Sequence, residues 1–257
     1  MVVHSKNMRR LLNCKILSTL NVKRSEIVEN MKKVLVIGGS KGIGKAVIDT
    51  LQDSCEIINI SRSNPQDFSQ KIEHYSCDVL TDDLPDIEHL DAMIYCPGSI
   101  NLKPMTRLSE EDFKNDFEIN VLGAVRVIQK YVKVLKSGND PSVVLFSTVA
   151  VKMGMPFHAS IAVAKAGVEA LVRTMGAEFA SHIRFNAIAP TITDTSLADK
   201  LLRNDVMKDK MRDRHPMKAY LQPEDVAEMV EFLISAKSKK ISGQVIELDC
   251  GIVSFKL

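Results

Sequence analysis

The chain has 257 residues, 45% hydrophobic and 26% charged, enough for one well-buried core. Its 34 basic and 32 acidic residues leave a net charge of +2, too weak a field to favour nucleic acid or an anionic membrane, so small-molecule chemistry is expected. The five cysteines (Cys14, Cys55, Cys77, Cys96, Cys250) are odd in number and lack metal-ligand spacing, which argues against a metal site and for reduced thiols in the cytoplasm; no apolar run reaches the roughly 18 residues of a membrane span.

Residues 1–30 carry Lys6, Arg9, Arg10, Lys15, Lys23 and Arg24 before the first acid, Glu26. Such a basic stretch is either transit-peptide-like or a loosely ordered extension, and Met31-Lys32-Lys33 is itself a natural beginning. A poorly ordered extension is expected there, with residues 31–257 as one domain. From Lys33, short apolar runs alternate with helical patterns, as in βαβ units. Val34 to Ile37 reads as a buried strand and Gly38 to Gly44 as a turn. The helix that follows has Ile43, Val47, Ile48 and Leu51 at helical spacing. Glu56 to Ile60 and Lys71 to Ser76 read as the second and third strands. A polar helix around Asp82 to His89 precedes the fourth strand, Asp91 to Cys96. A long helix spans about Asp112 to Leu135, and Ser137-Gly138-Asn139-Asp140-Pro141 stops it. Val143 to Phe146 is the fifth strand and Ile183 to Ile188 the sixth. Between Thr195 and Pro216 the chain is charged and helical-looking; Pro223 to Ile234 is a helix and Gly243 to Leu248 the last strand. The pattern predicts an α/β, Rossmann-type doubly wound, mainly parallel sheet of about seven strands.

A strand, a glycine-rich turn and a helix in that order suit a pyrophosphate, because backbone N–H groups at the helix N-terminus face the anion. Gly38, Ser40, Lys41, Gly42, Ile43 and Gly44 are the expected contacts. After the second strand, Asn59-Ile60-Ser61-Arg62 lacks the acid that would accept a ribose 2′-hydroxyl. Arg62, beside Ser61 and with Lys41, suits a 2′-phosphate instead, which points to NADP(H). Both cations also fit a solvated surface.

The segment Gly38-Gly39-Ser40-Lys41-Gly42-Ile43-Gly44 resembles the glycine fingerprint of the short-chain dehydrogenases/reductases, and the resemblance runs over about residues 33 to 252. It implies an oxidoreductase that binds NADP(H) and a small-molecule substrate, with homo-oligomerisation as a dimer or tetramer. Asp78-Val79 then corresponds to the adenine-contacting pair, although such an Asp equally caps a following helix. Gly98 is the part of Tyr95-Cys96-Pro97-Gly98 that agrees with the family's Asn-Asn-Ala-Gly. Pro190, Thr193 and Thr195 fall in the nicotinamide-side loop. Asn120, Thr148 and Lys165 take the places of the catalytic Asn, Ser and Lys. Ser147, beside Thr148, points to the other side of the strand.

The family's tyrosine place, thirteen residues after Thr148 and four before Lys165, holds Ile161, which has no proton to give. His158, three residues before Ile161 and seven before Lys165, shares their helical face if the helix has begun there, and its imidazole is a candidate proton donor. A loop histidine bonded to backbone is the alternative, and water held by Asn120 and Lys165 is a third source. The chain thus reads as an NADP(H)-dependent oxidoreductase of a carbonyl, alcohol or activated double bond, or as a non-catalytic cofactor-binding sensor or partner subunit. Asp199 to His215, with six basic and four acidic residues, stands where the family has its substrate loop. A positive lid favours an acidic or thioester-linked substrate, whereas the solvated face of a helix pair carries no such meaning.

Overall fold

The structure is a computed structural model that describes residues 31–65, 68–69 and 71–255; the expected extension, residues 1–30, lies outside them. Strand β1 (Lys32–Ile37) sends Val34 and Val36 to one face and Leu35 and Ile37 to the other, all almost inaccessible to solvent. A strand buried on both faces needs helices on both faces. It pairs in parallel with β2 (Cys55–Ser61) on one side and β4 (Ala92–Tyr95) on the other. With β3 (Glu73–Ser76), β5 (Ser142–Phe146), β6 (Arg184–Pro190) and β7 (Val245–Leu248) the sheet has seven strands, all parallel, in the order β3-β2-β1-β4-β5-β6-β7.

Helices α1 (Gly42–Leu51) and α6 (Pro223–Ile234) cover the first face, where Val47, Ile48, Val226 and Val230 join Val34, Ile57 and Ile94. On the second face, α3 (Gly123–Lys136) and α4 (Ala159–Glu178) bring Val127, Tyr131, Val168 and Val172 onto Leu35, Met93 and Phe185. The Rossmann-type expectation therefore holds. Chain order reverses direction between β1 and β4, and a crevice at the C-terminal ends of the strands forms at such a switch point. At the opposite ends, buried charges are bound to backbone. Asp91 accepts from Lys33 N and Asn139 N, and Arg184 donates to Leu233 O.

Two elements differ from the sequence reading. No helix forms over Asp82 to His89, because Pro85 in its middle has no N–H to give a helical ladder, and residues 80–90 are turns and irregular chain. Asp78 caps a turn there: its Oδ1 accepts from Leu80 N at 3.0 Å and its carbonyl from Thr81 N and Asp82 N. The long helix expected from Asp112 is three pieces. Helix α2 (Glu110–Phe117) starts from a reciprocal cap between Ser109 and Asp112, a π turn (Glu118–Leu122) follows, and α3 completes it. A π turn takes a carbonyl off the i→i−4 ladder. Tyr95 Oη donates to Ile119 O at 2.7 Å, and a Cβ at Gly123 would lie 2.1 Å from that Oη, so glycine is required for the contact. The charged segment before Pro216 contains a short 3-10 turn (Ser196–Ala198) and one α-helix, α5 (Asp205–Arg214), capped by Asn204.

Candidate active site

The crevice contains a cleft of about 410 Å³ lined by the glycine turn, the end of β2 and the loop after β3. Gly38, Ser40, Lys41, Gly42, Ile43, Gly44, Ser61, Arg62, Asp78, Val79, Gly98 and Thr195 all line it. The N-terminus of α1 opens here, and Lys41 at its cap position offers no side-chain acceptor, so the first N–H groups lack an internal side-chain partner. Gly44 is held to close packing: a Cβ would sit 2.3 Å from Gly38 O. Asn59, fully buried in β2, accepts from Gly39 N at 3.0 Å and locks the turn to the sheet. Arg62 is 79% exposed at the rim and 3.9 Å from Asp78 Oδ2, a distance at which it keeps its donors. An uncapped helix end with a glycine cradle and two rim cations fits a phosphorylated dinucleotide.

A second cavity, about 260 Å³, adjoins the first through Ile43, Cys96, Gly98, Thr195 and Leu197, which line both. Its walls are mainly apolar, with Ile100, Val149, Met155, Ile192 and Leu201 among them. Thr148, His158, Ile161, Lys165, Pro190 and Thr193 converge on it. Thr148 ends the strand–loop junction after β5, and its hydroxyl accepts from Ala150 N at 3.3 Å. Ser147, expected on the other side of the strand, also lines this cavity, and its hydroxyl donates to Glu169 Oε1 at 2.8 Å. His158 is the N-cap residue of α4, so the helix begins one residue after it. Its Nδ1 bonds Pro156 O at 2.7 Å, which puts the Nδ1 hydrogen on the backbone and leaves Nε2 as the acceptor of the neutral ring.

Lys165 projects from α4 with only 9% exposure and donates to Phe146 O at 2.8 Å. Burial pulls its ammonium down to about 8, with neighbouring Asp116 opposing the shift. Burial in turn pushes the Cys96 thiol up to about 12. Asn120 sits in the π turn behind the cavity, 1% exposed; its Nδ2 donates to Ser99 Oγ at 3.0 Å and to Asp116 O at 2.7 Å. It reaches the cavity through Ser99, which lines it.

Every residue singled out from the sequence thus lies at one cavity or the other except Asn120, which stands one side chain away. Ser99 and Asp116 escaped the sequence reading, and Arg214 and His215 were read only as part of the charged segment Asp199 to His215. His215 is 1% exposed, bonded to Thr191 Oγ1 and Met211 O, and lines the substrate-sized cavity with Arg214. Asp116 precedes Asn120 by one helical turn, and that i, i+4 spacing was the available signal. Among the described residues no group of His, Cys, Asp and Glu could hold a metal, and no helix is long and apolar enough to cross a membrane.

A parallel sheet of this order, with a glycine-turn cleft opening onto an apolar cavity at its switch point, defines a Rossmann-type α/β protein. Residues 73–253 match the family model described as enoyl-(acyl carrier protein) reductase, and the chain belongs to the short-chain dehydrogenase/reductase family. It is similar to the 3-oxoacyl-(acyl-carrier-protein) reductase FabG of Thermotoga maritima, 28% identical over 242 residues that cover 86% of this chain and 98% of that one. It is also similar to carbonyl reductase (NADPH) 2 of Sus scrofa, 26% identical over 235 residues covering 86% and 96%. Among solved structures, ligand-free aldohexose dehydrogenase of Thermoplasma acidophilum superposes with a TM-score of 0.80 at 23% identity, covering 88% of this chain and 95% of that one. ElxO with NADP bound gives 0.77 at 25% identity, covering 88% and 100%. The relatives are oxidoreductases, as the sequence led one to expect of this chain.

Proposed function

We propose that the chain is an NADP(H)-dependent oxidoreductase that moves a hydride between the nicotinamide and an apolar carbonyl, alcohol or activated double bond, with Ile161 standing where the family has its catalytic tyrosine. The observation that carries this is the shared wall. The glycine-turn cleft and the apolar cavity meet at Cys96, Gly98 and Thr195, with Lys165 lining the cavity beside them. The relatives named for NADPH and NADP support the choice of cofactor. NADP(H), when bound, supplies or takes the hydride.

In this reading the N–H groups of the Gly38–Gly44 turn bind the pyrophosphate, and Arg62 and Lys41 bind the 2′-phosphate. Asp78 and Val79 border the adenine. Lys165 holds the nicotinamide ribose, and Pro190, Thr193 and Thr195 flank the ring. Thr148 donates its hydroxyl hydrogen to the substrate oxygen. His158 gives the proton as the imidazolium: its Nδ1–H stays on Pro156 O, and the Nε2 proton passes to the substrate and leaves the neutral ring. The apolar walls exclude water and select an apolar substrate body.

The test is a two-step assay. NADPH fluorescence rises on titration with the protein, and NADPH is then consumed with one or more members of a panel of ketones, quinones and enoyl thioesters. Binding without consumption across the panel supports the sensor or partner-subunit reading instead. No binding refutes the proposed cofactor.

A further inference from the structure

The site contains an ionisable group that neither cavity uses directly. Asp116 lies in α2, is 2% exposed, and accepts the Ser99 hydroxyl hydrogen on Oδ1. That hydroxyl accepts from Asn120 Nδ2, which also donates to Asp116 O, so the three residues form a closed polar knot. Two of its atoms, Asp116 Oδ2 and Asn120 Oδ1, are buried without a partner. Gly98 serves as a ruler: a Cβ there would lie 3.3 Å from Asn120 Oδ1 and 3.6 Å from Lys165 Nζ. The knot and the buried ammonium therefore flank one residue. Burying either charge alone is costly, and opposite charges on packed elements offset each other.

We propose that Asp116 is the counter-ion of Lys165, a positioning residue that keeps Lys165 an ammonium ion at neutral pH and so supplies the site with a cation bearing three donors. The cofactor consequence rests on the function proposed above, whereas the coupling of the two side chains is a property of the chain itself. The other ionisable groups on the surrounding elements do not serve. Cys96, at the end of β4, keeps its proton because burial raises its thiol. Glu169, one turn along α4, is taken by Ser147 and Arg173. His158, at the start of α4, and Arg214 and His215, which line the cavity, bring no negative charge. Glu118, on the π turn, is exposed, which leaves Asp116 as the buried carboxylate of α2 and the π turn.

The test is the titration of the Lys165 side chain in the full-length protein, with 13C-labelled lysine followed by NMR and the resonance assigned by its loss in Lys165→Met. Asp116→Asn lowers the midpoint by about half a pH unit or more, since removing a neighbouring negative charge disfavours the ammonium. Asp116→Glu restores it toward the wild type. Asp116→Ser, smaller and still able to bond Ser99, repeats the downward shift and covers the case in which the Asn variant folds poorly. A merely structural role for Asp116 lowers thermal stability and leaves the midpoint in place, and that result overturns the proposal. NADPH affinity measured over the same pH range is the separate arm. A wild type that fails to bind NADPH refutes the cofactor reading, while the Lys165 midpoint still decides the role of Asp116.

Discussion

Replacing Ile161 by tyrosine tests whether the segment from Thr148 to Lys165 keeps the geometry of a family active site. Ile161 is 4% exposed on the first turn of α4, lines the apolar cavity with Thr148, His158 and Lys165, and lies one helical turn from Lys165. A positioned general acid contributes about 100- to 10,000-fold, or roughly 3 to 5 kcal/mol of barrier. Ile161→Tyr is therefore expected to raise kcat/KM for reduction of an apolar ketone by about 100-fold or more, read as NADPH consumption. Overpacking a filled core costs about 1–3 kcal/mol, but here the ring can extend into a cavity of about 260 Å³, so the loss falls at the low end. The gain should survive in Ile161→Tyr combined with His158→Ala, because the phenol then replaces the imidazole. A variant that folds, binds NADPH with wild-type affinity and reduces no ketone faster refutes the placement of residue 161.

His158→Ala should lower turnover by about 100-fold or more while NADPH affinity stays unchanged; full activity removes the histidine from the mechanism. Arg62→Asp should weaken NADPH binding by about tenfold and narrow its advantage over NADH, and an unchanged preference contradicts the 2′-phosphate contact. Lys165→Met should lose cofactor affinity yet gain stability. A lysine lowered to about 8 in the fold binds fewer protons than the unfolded chain between there and its ordinary value, so wild-type stability rises through that window as the buried charge is relieved. The advantage of Lys165→Met in chemical denaturation should thus be full near pH 7 and shrink above pH 8; a difference independent of pH refutes the burial cost. Tyr95→Phe leaves Ile119 O without its donor and should cost about 1–3 kcal/mol, seen as a lower denaturant midpoint.

The sheet was legible because each strand except β3 is a short apolar run closed by turn residues, and a parallel sheet buried on both faces needs no finer pattern. The cleft was legible because its residues come from strand ends in chain order, so motifs that are local in sequence meet at one edge. The failures were of another kind. The polar helix read around Asp82 to His89 is irregular chain instead, because Pro85 and the Asp78 turn interrupt it, and its Leu84 and Ile87 are buried. The π turn left no local sign, because its stabilising donor, Tyr95, is 24 residues away from Ile119. Asp116 was not singled out within the long helix read from Asp112. Its burial follows from packing of α2 against α4, a contact between distant segments.

The same long-range packing explains why the chemistry of residue 161 cannot be judged from that position alone. Ile161 lines the cavity beside Lys165, and an apolar wall disfavours an ammonium, whose pKa burial already lowers. A site that lost only its acid would be left with a lysine closer to neutrality and poorer as a donor to ribose hydroxyls. In the proposed pairing Asp116, which does not line the cavity, opposes that change. The apolar residue and the buried carboxylate therefore act on Lys165 in opposite directions.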